Sequence, residues 1–321
     1  MTALLKIDDL SVDFAVGDRW LRVLHGIDLT LARAEILGLV GESGCGKSVT
    51  AMAITQLLPR RASRIARGRV EFDGKNLLDL PRRELRGYRG ARLSMIFQDP
   101  MTALDPVFTI GQQIGAVLRR HRRYTSKQAR ARSLALLHRV GLPDTVQHLD
   151  NYPHRLSGGM RQRAMIAMAL ACEPDVLIAD EPTTALDVTT QAGILALLEE
   201  LRRELGMAIL LISHNLSVVA QICDRALVMY GGRIVEGASV AQLFDAPRHP
   251  YTQGLLRSIP QISTAPPSRL QAIPGHVPDL AHWPHGCPFC NRCSVATAVC
   301  SKETPRLYSH SHDHLVACHH A

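Results

Sequence analysis

The stretch Gly41-Glu42-Ser43-Gly44-Cys45-Gly46-Lys47-Ser48 decides the fold of this 321-residue chain. It fits the pattern G-x-x-x-x-G-K-[ST], with the apolar run ILGLV before it and a helical pattern over 47–58 after it. Glycines let backbone N–H groups close around phosphate oxygens, and a helix N-terminus adds partial positive charge. The stretch therefore predicts a P-loop, in which Lys47 reaches the β- and γ-phosphates of a nucleotide and Ser48 ligates Mg²⁺.

The nucleotide-contacting residues of this loop and of the helix start are then predicted to be Gly41, Ser43, Gly44, Cys45, Gly46, Lys47, Ser48 and Val49.

Short apolar runs alternate with helical patterns around the P-loop. The runs typical of buried strands in a largely parallel sheet are 36–40, 176–179, 208–212 and 226–230. Helical patterns over 47–58 and 190–204 follow two of them, which predicts an α/β fold with ligands at the carboxyl ends of the strands. Strand-like runs vanish between Pro100 and His154, where 110–123 and 126–140 predict a helical insertion rich in Arg and Leu.

Two carboxylates follow the apolar run at 176–179. Asp180 is positioned to hold the Mg²⁺ shell, and Glu181 to orient and polarise the attacking water. An acidic strand end alone is often only a helix cap, but together with a P-loop it indicates nucleotide hydrolysis.

Composition limits the partners. The charge of 37 − 29 = +8 suits anionic partners such as nucleotide, nucleic acid or an anionic membrane face, and equally a solvated basic surface. Aromatic content of 4% argues against a stacking platform for single-stranded nucleic acid. No apolar run approaches the roughly 18 residues of a membrane span, and the N-terminus has no signal-peptide pattern. We therefore expect no nucleic-acid partner, and a cytosolic chain unless a partner holds it elsewhere.

The segment Leu156-Ser157-Gly158-Gly159-Met160 opens another predicted helix, which makes a second anion site. Since the P-loop already surrounds its own phosphates, Ser157, Gly158 and Gly159 are expected to serve a nucleotide held by another subunit. The segment resembles the LSGGQ signature of ABC ATPases, with Met160 in place of Gln as in the peptide-importer branch.

The resemblance to ABC ATPases covers residues 4–240 and implies further site residues. Gln98 is similar to the Q-loop glutamine that links Mg²⁺ and water to the helical insertion, and His214 to the switch histidine at the γ-phosphate. Asp187 resembles the D-loop aspartate, and Phe14 the aromatic residue that stacks on adenine. Ala34 departs from the family, which usually has Gly there, so we expect a local turn adjustment.

The tail resembles the C-terminal extension of ATPase subunits in dipeptide and oligopeptide importers, in His249-Pro250-Tyr251-Thr252, Ala272-Ile273-Pro274-Gly275, Gly286-Cys287-Pro288-Phe289 and Arg292-Cys293. This implies a peripheral protein on the cytoplasmic side of the inner membrane. The implied partners are a related but distinct second ATPase, two transmembrane permease subunits and an extracytoplasmic peptide-binding protein.

Five of the eight cysteines crowd the tail, which in a cytosolic chain favours a metal site over disulfides. The spacing of Cys287, Cys290 and Cys293 partly matches a ferredoxin run. By resemblance, Cys287, Cys293, Cys300 and Cys318 are similar to ligands of a structural [4Fe–4S] cluster, with Cys290 as an extra thiol. Zn²⁺ and free thiols remain alternatives. The terminal histidines could bind metal weakly, but at the end of the chain we expect solvated disorder for them. They are His310, His312, His314, His319 and His320.

The sequence thus predicts an ABC ATPase domain over 1–240, with its helical subdomain at about 100–165, and a cysteine-rich extension over 241–321. The predicted function is ATP hydrolysis for a di- or oligopeptide importer. Import of nickel or another small solute, a soluble ABC ATPase in translation or DNA repair, and a cluster-bearing regulatory ATPase are the alternatives. The single ATPase unit and the lack of sustained heptads argue against the translation and repair classes.

Overall fold

The computed structural model describes residues 3–184, 186–259, 273–311 and 313–321. The strands are β1 (Ala3–Val16), β2 (Arg19–Ala32), β3 (Ile36–Val40), β4 (Ser63–Phe72), β5 (Lys75–Asn76), β6 (Leu93–Ile96), β7 (Val176–Asp180), β8 (Ala208–Ser213), β9 (Arg225–Tyr230), β10 (Arg233–Ser239), β11 (Tyr308–Ser311) and β12 (His314–Val316). The helices are α1 (Lys47–Ile54), α2 (Arg82–Tyr88), α3 (Pro100–Ala103), α4 (Ile110–Arg122), α5 (Ser126–Arg139), α6 (Thr145–Asp150), α7 (Gly158–Ala169), α8 (Val188–Leu205), α9 (Leu216–Ile222), α10 (Val240–Asp245), α11 (Pro250–Arg257) and α12 (Ala298–Lys302).

The described chain divides into two compact units. The first contains 32–35 and 79–210, and the second contains 3–31, 36–78 and 211–321. Strand β8 begins in the first unit and ends in the second. None of the described helices combines the length and the hydropathy of a membrane span.

The first unit holds the parallel pair β6 and β7, in which Leu93 lies opposite Val176. Helices α3 to α6 lie in the region where strand runs were not expected, and no strand is described between Pro100 and His154. Capping boxes at Thr109 and Thr125 fix the starts of α4 and α5. The helices predicted over 110–123 and 126–140 are therefore observed as α4 and α5, and both pack against α7.

The second unit contains two layers of strands. One sheet has the order β2-β1-β4-β5, and β1 pairs antiparallel with β4 with irregular register around Ser11. The other run has the order β11-β12-β10-β9-β3, with β3 parallel to β9 and the remaining pairs antiparallel. All five residues of β3 are buried, as expected for a central strand.

Two details differ from the sequence-based expectation. Helix α1 ends at Ile54 instead of near Leu58, because Gln56 takes a left-handed conformation with φ 50°. The 14-residue strands β1 and β2 were not predicted. In β1, polar residues and a bulge between Asp8 and Ser11 interrupt the alternation of polar and apolar residues.

Candidate functional site

The P-loop lies between β3 and α1 in the second unit. Two of its glycines are required by close approach. A Cβ on Gly41 would meet the Met229 carbonyl oxygen at 2.1 Å, and one on Gly46 would meet Leu24 at 2.8 Å. Gly46 also has φ 108°, in the left-handed region that glycine favours, at the N-cap of α1. The loop can therefore pass tightly over β9 only with these residues.

Lys47 is buried and folded back over the P-loop. Its Nζ donates to the carbonyl oxygens of Gly41 at 2.7 Å and Glu42 at 2.9 Å, and lies 3.7 Å from the Cys45 sulfur. Burial raises the pKa of the Cys45 thiol. An ammonium held among carbonyl oxygens of the loop can exchange those partners for phosphate oxygens.

The acidic strand end is in the first unit, where Asp180 closes β7 and is 4% exposed. Glu181 follows with φ 47°, an uncommon conformation for a non-glycine residue and a frequent one at functional sites. Its Oε2 accepts from Gln98 Nε2 and from Thr184 Oγ1, both at 2.9 Å. Gln98 and Glu181, predicted separately from the sequence, are therefore in direct contact.

The signature segment is a helix start in the same unit. Ser157 is the N-cap of α7, and its hydroxyl accepts from the Met160 N–H at 3.4 Å. Asp187 caps α8 in the same way and accepts from the Thr190 N–H at 2.9 Å, which lowers the pKa of its carboxyl. The starts of α7 and α8 are therefore both helix N-termini, where the helix dipole favours anions.

The other two predicted residues belong to the second unit. His214 follows β8 and is exposed, and Phe14 is half-buried near the end of β1, opposite Ser63. The structure therefore distributes the predicted ATP-site residues over both units: the P-loop, Phe14 and His214 in one, and Gln98, Asp180, Glu181, Ser157, Gly158, Gly159 and Asp187 in the other.

The tail cysteines converge within the second unit. A small cavity of about 10 Å³ is lined by Cys287, Cys290, Cys293, Cys300, Cys318, His319 and His320, among others. Burial, with a smaller effect from the nearby thiols of Cys300, Cys290 and Cys293, raises the pKa of the Cys287 thiol to about 11. Yet no group of three or more His, Cys, Asp or Glu side chains within the described ranges is spaced to hold a metal ion.

The terminal histidines do not all behave as expected. His314 is buried, and its Nε2 lies 2.8 Å from Glu236 Oε1, so the expectation of solvated disorder is wrong for this residue. The reason is tertiary: β12 pairs with β10 and brings His314 to the Glu236 carboxylate. His320 Nε2 lies 3.5 Å from the Cys300 sulfur. His312 is outside the described residues, as are 260–272 of the Pro-rich segment.

Sequence reasoning missed the aromatic residues beneath the P-loop. Tyr230, Tyr251 and Phe289 form a buried cluster with ring centroids 4.7 to 5.4 Å apart. The Tyr251 hydroxyl accepts from the Glu42 N–H at 2.8 Å. Both Tyr251 and Phe289 stood in motifs that resembled the importer tail, but nothing in those motifs pointed to the P-loop.

Comparisons with known proteins agree with this geometry. Residues 24–184 match the ABC transporter family model, and residues 235–300 match the model for the oligopeptide/dipeptide transporter C-terminal region. A probable peptide ABC transporter ATP-binding protein of Sinorhizobium fredii is 50% identical over 98% of this chain and 94% of its own. The dipeptide transport ATP-binding protein DppD of Bacillus subtilis is 47% identical over 99% of this chain and 95% of its own.

A solved structure is also similar. The dimeric ATP-binding cassette MJ0796, in a post-hydrolysis state bound to ADP and phosphate, has a TM-score of 0.67 and 27% identity, over 74% of this chain and 98% of that chain.

Proposed function

We propose how this chain works from one premise: it belongs to the ABC transporter family, in the branch that carries the oligopeptide/dipeptide C-terminal region. It is the ATP-hydrolysing subunit of a membrane importer for dipeptides or oligopeptides. Its partners are membrane permease subunits and a substrate-binding protein. The observation that carries this conclusion is the near-full-length similarity to peptide importer ATPases, together with a P-loop whose Lys47 is held at the loop carbonyls.

Within this function, the P-loop residues bind the phosphates of ATP, and Phe14 stacks on adenine. Ser48, Gln98 and Asp180 would hold Mg²⁺, which would neutralise charge on the phosphates of bound ATP. Glu181 accepts a proton from the attacking water. Gln98 donates a hydrogen bond to the Glu181 carboxylate and orients that carboxylate. His214 contacts the γ-phosphate. The left-handed backbone of Glu181 supports its assignment, because such conformations cluster at functional sites.

The second half of each ATP site comes from another subunit. Ser157, Gly158 and Gly159 at the start of α7 grip the γ-phosphate of an ATP held by the opposite ATPase, and Asp187 communicates across that interface. The second ATPase is a related but distinct chain. The pair sits against permeases on the cytoplasmic side of the inner membrane, and ATP closes it while hydrolysis reopens it.

Transport in reconstituted liposomes tests this function. The chain, its second ATPase and the two permeases are reconstituted together, and the substrate-binding protein is supplied with a labelled dipeptide, a labelled pentapeptide or ⁶³Ni²⁺. We expect ATP-dependent peptide uptake that Lys47→Ala abolishes, with Lys127→Ala, on the exposed start of α5, as the matched control. Uptake of nickel but not of peptide would show that the importer carries nickel, the alternative cargo. Uptake that is insensitive to Lys47→Ala would refute the ATP site.

We also propose that Cys287, Cys293, Cys300 and Cys318 hold a structural metal centre, a [4Fe–4S] cluster. Support comes from the chemistry of the donors, since thiolates select iron–sulfur clusters and zinc, and from their convergence on one cavity with Cys290. The present side-chain spacing is not that of a ligand set, so binding requires the thiols to move together. The centre would hold a short, Pro-rich tail in place.

Anaerobic purification followed by metal and sulfide analysis tests the tail centre. We expect brown protein with about four iron and about four sulfide per chain, as a [4Fe–4S] cluster requires. Cys293→Ser should lose this content, whereas Cys172→Ser, a buried cysteine in the first unit, should keep it. Zinc at about one per chain would identify the alternative ion, and metal-free protein with native stability would refute the centre.

A further inference from the structure

One arginine of the tail reaches the P-loop directly. Arg292 Nη1 donates to Glu42 Oε2 at 2.6 Å and its Nη2 donates to Glu42 Oε1 at 2.9 Å, across 250 positions in sequence. This is the bidentate geometry in which guanidinium and carboxylate pair most strongly. The Arg292 side chain is 5% exposed and that of Glu42 30%, so water screens the pair far less than a surface ion pair.

The guanidinium of Arg292 is fixed by its other contacts. Its Nε donates to the Pro274 carbonyl oxygen at 2.8 Å, and its Nη1 lies 3.4 Å from the Tyr230 hydroxyl. The guanidinium carbon lies 5.7 Å from the ring centre of Tyr230 and 5.9 Å from that of Phe289. Because both rings are buried, their positions are fixed, and the Arg292 guanidinium that packs beside them has little freedom to move away from Glu42.

Glu42 is held at three points by three other residues. Its carboxylate pairs with Arg292, its N–H donates to the Tyr251 hydroxyl at 2.8 Å, and its carbonyl oxygen accepts from Lys47 Nζ at 2.9 Å. The second residue of the P-loop therefore links the tail to the lysine that meets the phosphates. An unpaired Glu42 carboxylate would place a negative charge in the loop that must receive a triphosphate.

We propose that Arg292 is a positioning residue of the ATP site, through which the tail sets the shape and charge of the P-loop. It acts by neutralising Glu42 and by fixing the loop, without touching the nucleotide. The inference rests on the proposed ATP-binding role of the loop. It assigns the tail a part in nucleotide affinity, beyond any metal that its cysteines hold.

The test compares nucleotide affinity and turnover in the purified full-length chain. For Arg292→Gln we expect the Kd of ATP to rise about tenfold, because a partly buried carboxylate loses its partner beside the phosphates. The kcat at saturating ATP should stay within about twofold, because Arg292 does not contact the reacting atoms. Arg130→Gln is the matched control: its pair with Asp150 is equally bidentate, at 2.7 Å for both bonds, but lies in the helical region.

A double variant separates charge from mere structural damage. Glu42→Gln combined with Arg292→Gln removes the repelling carboxylate as well, so the Kd should return to within about threefold of the native value. If Arg292→Gln does not fold, Arg292→Lys carries the test, since it keeps the charge and loses the fork. We then expect a Kd above the native value.

The failures can be told apart. If the native chain does not bind ATP, the proposed function fails. If the native chain binds ATP but the folded arginine variants bind it equally well, or the double variant stays as weak as Arg292→Gln, the inference about Arg292 is overturned.

Discussion

At the scale of the residue, Ala34 has a backbone conformation that its Cβ disfavours. It precedes β3 with φ 55°, a left-handed conformation that costs a non-glycine residue about 1–2 kcal/mol. The conformation persists because the turn is tied on both sides: the Ala32 N–H donates to Glu35 Oε2 at 2.6 Å, and Arg202 donates to the Ala34 carbonyl oxygen at 2.7 Å. The expected turn adjustment is therefore a glycine-type turn occupied by alanine.

Ala34→Gly should stabilise the protein. Relief of the left-handed strain outweighs the greater entropy of an unfolded glycine, so we expect the free energy of unfolding to rise by about 0.5–1 kcal/mol in urea titration. Ala135→Gly, at an exposed position inside α5, is the opposite-sign control and should lose about 1 kcal/mol. Equal destabilisation by both substitutions would mean that Ala34 is not strained.

At the scale of the element, helix α11 joins the tail to the body through buried polar groups. Glu236 of β10 is fully buried and accepts from the backbone N–H groups of Arg248 and His249, at 2.6 and 3.0 Å. His249 is the N-cap of α11, and its Nδ1 accepts from the Tyr251 N–H at 3.0 Å. Burial lowers the pKa of His249 to about 4, and this hydrogen bond requires the unprotonated nitrogen.

The lowered pKa of His249 predicts acid sensitivity of the fold. Between pH 6.5 and about 4 the unfolded imidazole takes up a proton that the folded one does not, so the stability contributed by neutral His249 is complete above pH 6.5 and lost as the pH falls through this window. His249→Asn keeps a capping side chain without the proton. As the pH falls, the unfolding free energy of His249→Asn should decrease less steeply than that of the native chain. The two slopes should differ by about 1 kcal/mol per pH unit.

Urea titrations at several pH values measure the slope for each protein. His138→Asn is the control, because His138 is exposed in α5 and its replacement should leave the native slope unchanged. Parallel slopes for the native chain and His249→Asn would contradict the assignment of the neutral buried ring.

At the scale of the whole molecule, the chain divides the predicted chemistry between its two compact units, with the P-loop in one and Glu181 in the other. In the proposed function, ATP also joins two chains, because the start of α7 serves a nucleotide bound elsewhere. A variant that binds ATP without hydrolysing it should therefore accumulate the joined state.

Glu181→Gln should trap ATP and stabilise the closed ATPase pair. The amide cannot accept the proton of the attacking water, so we expect turnover to fall by at least about a hundredfold while ATP binding persists. Light scattering after gel filtration should then report a dimer in ATP, either of the variant alone or with the second ATPase, and monomers in ADP. Glu199→Gln, at a half-buried position of α8 outside the predicted site, is the control. Normal turnover in Glu181→Gln would refute its role.

Much of the fold and site could be predicted from the sequence, because local signals carry them. The spacing of Gly41, Gly46 and Lys47 specifies a loop between a strand and a helix, and β3, β7, β8 and β9 fall where the apolar runs predicted them. Helices α4 and α5 likewise fall where the Arg- and Leu-rich helical patterns predicted them. Glu181 was assigned from the end of a predicted strand and Gln98 from family resemblance, and the structure adds a contact between them at 2.9 Å.

Only the tertiary structure decided what supports the P-loop. The contacts of Glu42 with Tyr251 and Arg292 join residues 209 and 250 positions apart, and the pair of Glu236 with His314 spans 78. No local period or spacing encodes such partners, because they depend on how β10, α11 and the tail pack around Tyr230 and Phe289. The sequence by itself predicted which residues bind phosphate, because the glycine and lysine spacing is local. Packing determined which distant side chains support that loop, because those contacts exist only in the folded chain.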